Sequence, residues 1–309
     1  MEQLFERITI DSGKHGPHVL ITAGVHGDEL EPIIAVRELI QQIPPLLQKG
    51  KITFVPVVNE SAYKLRQRCG SDGMDLARTC PGKSEGSITE KVAFEVSQLI
   101  QTADYYIDLH TGGRIFNIHP LVGYMLHDSQ KVLSMQQEMA KAFGLPVVWG
   151  TDNRAEGRTL SVARDANVPA IYVEYGGPDP ISAKIVKAYV EGCLRVLGLL
   201  AIISFENIQV EQDGLYWVED GRLNNGHLQT KTPAPVEGIF FPNVKVGTPV
   251  RKGELWGVIQ DPTSRQVKIK TEAEGLVLFM RVQGHVQVND SLGGLLPISQ
   301  PGKIIFHEQ

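Results

Sequence analysis

The stretch that most constrains the fold is Val19–Glu31, VLITAGVHGDELE, where a short apolar run gives out at Gly24 and delivers His26, Asp28 and Glu29. Val19 to Thr22, all apolar or β-branched, predict a buried parallel strand, and the small residues Ala23 and Gly24 let the chain turn sharply at its carboxyl end. In open α/β sheets, ligands sit outside such strand ends. His26 and Glu29 are three positions apart, so one turn of irregular backbone can aim an imidazole nitrogen and a carboxylate at a single ion. A solvated loop ahead of Pro32 has the same local look, and only the remaining chain separates the two readings.

From the first residue to about 204, short apolar runs alternate with longer periodic segments, which predicts α/β architecture with a mostly parallel, mixed central sheet flanked by helices. Strands are expected at Phe5–Ile10, Val19–Ala23, Ile52–Val58, Tyr105–Leu109, Leu121–Leu126, Val147–Trp149 and Ala170–Glu174. Pro32 suits the first turn of a helix that Pro44-Pro45 stops near Ile43. Ser87 with Glu90 three residues later is a capping-box signature for a helix from Ile88 to Gln101. Further helices are expected from Asp128 to Phe143, before Gly144, and from Val186 to Ile203. The polar, glycine-rich stretch Asn59 to Ser87 is too long for a simple connector.

Helical periodicity vanishes after the polar transition Glu206–Asp213, and short β-type segments recur between glycines from Gly214 to Gly293. The expected division is therefore a catalytic domain over 1–204 and a small all-β domain, barrel or sandwich, over 205–309.

A second informative run, Tyr105–His110 (YYIDLH), ends like the first: Asp108 and His110 precede Thr111-Gly112-Gly113. Strand side chains alternate, so Asp108 and His110 share a side, where His110 can bind a metal while Asp108 orients a neighbour. His26, Glu29 and His110 then form the two-histidine, one-carboxylate set that leaves a zinc position open for water. Such a water needs a base, and Glu174, at the end of an apolar strand before Tyr175-Gly176-Gly177, is the best placed. Arg66, Arg68 and Arg78 lie in one loop, and Arg154, Arg158 and Arg164 precede Glu174; guanidinium forks suit a substrate carboxylate or a developing oxyanion.

With these residues in place, the chain resembles the succinylglutamate desuccinylase and aspartoacylase family, which has a zinc carboxypeptidase-like fold. The motifs are GVHGDE at Gly24–Glu29, a loop from Asn59 to DGMDLAR at Asp72–Arg78, DLHTGG at Asp108–Gly113 and VEYGG at Val173–Gly177, in this order over about the first 200 residues. The resemblance implies one zinc on His26, Glu29 and His110 and a general base and acid at Glu174. It also implies loop arginines at Arg68 and Arg78 that polarise the carbonyl and hold substrate, with Arg66 an alternative to Arg68 by a two-residue shift. Ala77 stands where family members usually carry an asparagine that helps hold the substrate carboxylate, which implies a different preferred substrate. Residues 234–296 are similar to a lipoyl or biotinyl-like barrel, yet Asp261–Arg265 stands where a carrier lysine would lie, which implies a cap or assembly element.

The expected activity is hydrolysis of the amide of an N-acyl amino acid or related small metabolite, with Arg158 or Arg164 on a substrate carboxylate. A zinc carboxypeptidase or esterase is the alternative within enzymes, and a non-catalytic binding module the alternative outside them. A formal charge of -5 and no dense Lys/Arg stripe argue against nucleic acid and for a small-molecule partner. The three cysteines, Cys69, Cys80 and Cys193, form no C-x-x-C pair, and no apolar run of 18 residues occurs. The start, MEQLFERITI, lacks a signal-peptide pattern, so a cytoplasmic protein without membrane partners, compatible with a homo-oligomer, is expected.

Overall fold

The computed structural model describes residues 3–178, 180–204, 214–223, 225–226 and 231–306; the predicted transition Glu206–Asp213 lies outside them. Through residue 199 the order is β1 (Ile8–Asp11), β2 (His18–Thr22), α1 (Leu30–Gln42), β3 (Lys51–Val55), α2 (Glu60–Leu65), α3 (Ile88–Gln101), β4 (Tyr105–His110), β5 (Phe116–Met125), α4 (Gln130–Phe143), β6 (Val147–Thr151), α5 (Thr159–Asp165), β7 (Ala170–Gly176) and α6 (Ala183–Leu199). Each expected strand and helix is present within a few residues. Local chemistry sets the ends: Ser87 and Glu90 form the reciprocal capping box of α3, and Gly144 closes α4 in the left-handed conformation at φ 86°.

β2, β3, β4 and β7 run parallel, with Leu20 beside Tyr106 and His110 beside Glu174. Their side chains alternate between two cores. Val19 and Ile21 face α1, α4 and α6, whereas Leu20 faces α3 and α5. Burial on both faces is why these strands read as unbroken apolar runs. β5 is parallel to β6 but antiparallel to β7, which makes the sheet mixed.

The remaining strands are β8 (Tyr216–Asp220), β9 (Gly238–Pro242), β10 (Pro249–Val250), β11 (Leu255–Gln260), β12 (Gln266–Lys270), β13 (Gly275–Arg281), β14 (His285–Val286), β15 (Gly293–Leu296) and β16 (Gly302–Phe306). Among the described residues after 213 the regular elements are strands, but they do not all lie apart from the first sheet. β8 pairs with β6, and β16 with β8, both parallel, so they extend the first sheet in the order β1-β3-β2-β4-β7-β5-β6-β8-β16. Residues 238–296 form a four-stranded sheet, β12-β11-β9-β14, facing β10, β13 and β15 around Phe240, Trp256, Ile259, Val277 and Val286. β13 also hydrogen-bonds to β5, tying this unit to the large sheet. Among the described residues, no helix is long and apolar enough to cross a membrane.

Candidate functional site

The carboxyl ends of β2, β4 and β7 bring the singled-out acids and histidines together. Glu29, at the threshold of α1, lies between two imidazoles: its Oε1 is 2.6 Å from His26 Nδ1 and its Oε2 is 3.0 Å from His110 Nδ1. The Thr111 N–H donates to the same Oε2 at 3.2 Å. All three residues are buried, the rings are 5.2 Å apart, and one donor atom from each lies within 4.8 Å of the others. This group has the donor types and spacing to hold a metal ion.

Each imidazole turns its other nitrogen to an aspartate, His26 Nε2 to Asp75 at 3.2 Å and His110 Nε2 to Asp108 at 3.1 Å. Asp108 also accepts from Thr22 Oγ1 at 2.7 Å and Thr159 Oγ1 at 2.5 Å, so its carboxylate is fixed on several sides. Burial pushes the Glu29 carboxyl up, but the charges of His26 and His110 outweigh it and hold the group below the usual carboxylate range. Burial likewise opposes the charge on His110, and Asp108 and Glu29 reverse it, raising its pKa well above the ordinary value.

Glu174 follows the opposite logic. It stands beside His110 in the β4–β7 register, and its Oε2 is buried with no hydrogen-bond partner among the described residues. Burial pushes its pKa up to about 8, with His110 pulling it down and Glu29 adding to the rise. Here is a carboxyl that can hold or release a proton near neutrality.

Glu174, His26 and His110 line one cleft together with Arg68, Ala77, Arg78, Arg158 and Tyr172. Arg68 Nε donates to Asp75 Oδ2 at 3.0 Å, so Asp75 bridges a candidate ligand and a cation. Burial lowers the Arg78 pKa, and the like charge of Arg158 lowers it further, a crowding of cations that suits an anion. Arg158 reaches Gly226 O at 3.4 Å with Nη2, while its Nε is buried without a partner among the described residues. Phe116, Ile118, Met125 and Leu160 complete the lining with apolar surface.

Three of the arginines singled out from sequence lie elsewhere; one, Arg154, donates from Nε to Asp152 Oδ1 at 2.7 Å and from Nη2 to Gly221 O at 2.7 Å. Arg66 is exposed in the left-handed position that ends α2, at φ 56°, and borders a separate depression with Lys64 and Arg114; the sharp end of α2 sends Arg66 and Arg68 in different directions. Arg164, in the last turn of α5, donates to Asn153 O and Ala155 O and pairs with Glu156 and Asp165, so it ties down a loop. Asp75, Thr159 and Tyr172 were not singled out from sequence. Asp75 sits inside DGMDLAR, where an acid between two arginines was the available signal.

Residues 15–200 match the family model of the succinylglutamate desuccinylase/aspartoacylase catalytic domain. The chain belongs to this family. It is 27% identical over 296 residues to an N-α-acetyl-L-2,4-diaminobutyric acid deacetylase from Halomonas elongata, covering 92% of this chain and 83% of that protein. Its fold is similar to a succinylglutamate desuccinylase/aspartoacylase from Rhodobacter sphaeroides at TM-score 0.83 and 24% identity, covering 94% of this chain and 88% of that one. The product-bound ectoine utilization protein EutE (DoeB) from Ruegeria pomeroyi matches at TM-score 0.83 and 23% identity, over 94% and 87% of the two chains. The family is one of deacylases, which places the chain among the hydrolases.

Proposed function

We propose that this protein is a zinc-dependent deacylase that hydrolyses the amide of a small N-acyl amino acid or related N-acylated metabolite. The observation that carries the reading is the buried Glu174 Oε2, without a hydrogen-bond partner among the described residues, in a cleft that His26 and His110 of the His26–Glu29–His110 group also line. The donor set fits zinc: two imidazoles and one carboxylate, each imidazole oriented by an aspartate on its far side. Zinc bound there supplies a Lewis acid for the amide carbonyl and lowers the pKa of water. Glu174 accepts a proton from the attacking water and returns it to the departing nitrogen, so that the C–N bond is exchanged for a C–O bond, leaving a carboxylate and an amine. Arg68, held by Asp75, faces the negative charge that develops on the carbonyl oxygen. Arg78 and Arg158 bind the carboxylate of the substrate, and Ala77 leaves space beside them. Residues 1–204 carry the chemistry, and 205–309 brace it.

The named activity of the Halomonas elongata relative makes acetylated diamino acids the first compounds to try. Mass spectrometry of zinc-loaded protein incubated with N-acetyl amino acids, N-succinyl amino acids and peptides is expected to show free acid and amine from the N-acyl amino acids. Turnover of peptides alone would replace this reading with a carboxypeptidase.

A further inference from the structure

The apolar lining of the cleft at Phe116 and Ile118 is backed by a strand from the part of the chain that holds none of its chemistry. β5 is ten residues long, and its two ends do different jobs. Leu121–Met125 lies inside the large sheet between β6 and β7, whereas Phe116, Asn117 and Ile118 pair with Arg281, Met280 and Phe279 of β13. The Val282 N–H extends this ladder to Ile115 O at 2.8 Å. Phe116 and Ile118 alternate onto one side and line the cleft with Glu174.

Phe279 is the brace. Its ring is buried and meets the Phe116 ring edge-on at 5.2 Å with an interplanar angle of 87°. On β15, Gly294 leaves room for it: a Cβ there would lie 2.4 Å from Phe279 Cε1. The ring is thus wedged between Gly294 and Phe116, and interiors packed this way transmit a displaced ring to its neighbour. Phe116 and Ile118 bring apolar surface to the cleft, and this stretch suits an uncharged, apolar portion of a ligand.

We propose that Phe279, from outside the catalytic half, sets the length of the apolar acyl group the cleft accepts by fixing Phe116 and Ile118 against it. Phe279 is a positioning residue, and the inference rests on the deacylase reading. Removing its ring gives Phe116 space to retreat and lengthens the subsite, while a methyl on Gly294 presses the ring toward the cleft and shortens it.

The test is kcat/KM of zinc-loaded wild type, Phe279→Ala, Phe279→Leu and Gly294→Ala on N-acetyl, N-butyryl and N-hexanoyl forms of one amino acid. Binding of acetate, butyrate and hexanoate is measured by calorimetry on the same proteins. Two methylenes gained or lost from an apolar subsite correspond to about a tenfold change. Phe279→Ala is expected to raise the butyryl-to-acetyl ratio about tenfold, Gly294→Ala to lower it, and Phe279→Leu to fall near wild type. Partial unfolding scales all three substrates alike and leaves the ratio unmoved. Ratios that stay within twofold of wild type in both Phe279→Ala and Gly294→Ala, in turnover and in carboxylate binding, overturn the proposal. Wild type inert on every acyl compound overturns the deacylase reading instead, and the carboxylate-binding ratios still decide the role of Phe279.

Discussion

The two sides of the cleft are made in different ways. The polar side comes from short motifs at strand ends and from one loop: His26 and Glu29 after β2, Asp108 and His110 on β4, Glu174 on β7, with Arg68 and Asp75 only seven residues apart. Its groups are held by hydrogen bonds and charge. The apolar side comes from β5 and is backed by Phe279, so partners more than 160 residues apart in sequence hold it, by ring contact and strand pairing. Each piece of the chemistry is a short local motif, whereas the shape rests on pairing with a distant strand. The expected consequence is that changes on the polar side strike turnover or metal, and changes on the apolar side strike choice of substrate.

The largest effect is expected at Glu174. Glu174→Gln keeps the shape and removes the base, so kcat should fall by about 10²–10⁴ with zinc content unchanged. Steady-state rates and metal analysis on the same sample check this; a matching loss of kcat in Phe116→Ala would break the division between the two sides. Asp75→Asn comes next. It weakens the hold on both His26 and Arg68, and loss of such an orienting carboxylate costs about 10–100-fold in metal affinity or activity, read by chelator competition. Arg158→Ala should raise KM for N-acyl amino acids by about tenfold while leaving zinc in place, because a charge-assisted hydrogen bond to the substrate is lost.

The smallest effect is a pH dependence of the metal-free protein. Glu174 Oε2 is buried, and burial raises the pKa of the group to about 8 in the fold, against 4.5 for the ordinary group. Between those values the folded chain keeps a proton that the unfolded chain has released, so this group's contribution is full below 4.5 and is lost as pH rises toward about 8. Calorimetry in chelator should show wild type losing a few degrees more of Tm than Glu174→Gln between pH 5 and 8. Equal slopes for the two proteins would remove burial of the charge as the cause of the raised pKa.

Much of the polar side was legible in the sequence because buried parallel strands leave a strong mark: an apolar run that ends in acids and histidines with glycines close by. Helices α1, α3, α4 and α6 were legible for a similar reason, being long enough to show a period and carrying caps such as Ser87. Short helices were not. α2 and α5, at six and seven residues, span under two turns, too few to repeat a pattern. The choice between Arg66 and Arg68 turned on where α2 ends, and a left-handed residue at 66 is not something arginine advertises. Least legible was the pairing of β13 with β5 and the return of β8 and β16 to the large sheet. Local composition marked these segments as strands, and nothing in it names a partner.

Zinc held by His26, Glu29 and His110 is the claim on which the other roles depend. Equilibrium zinc binding by chelator competition, run side by side on wild type, Glu29→Gln and Glu174→Gln, tests it most directly. One zinc per chain in wild type and Glu174→Gln, with affinity at least about 100-fold weaker in Glu29→Gln, is the expected result. Glu29→Gln binding zinc as tightly as wild type would contradict it.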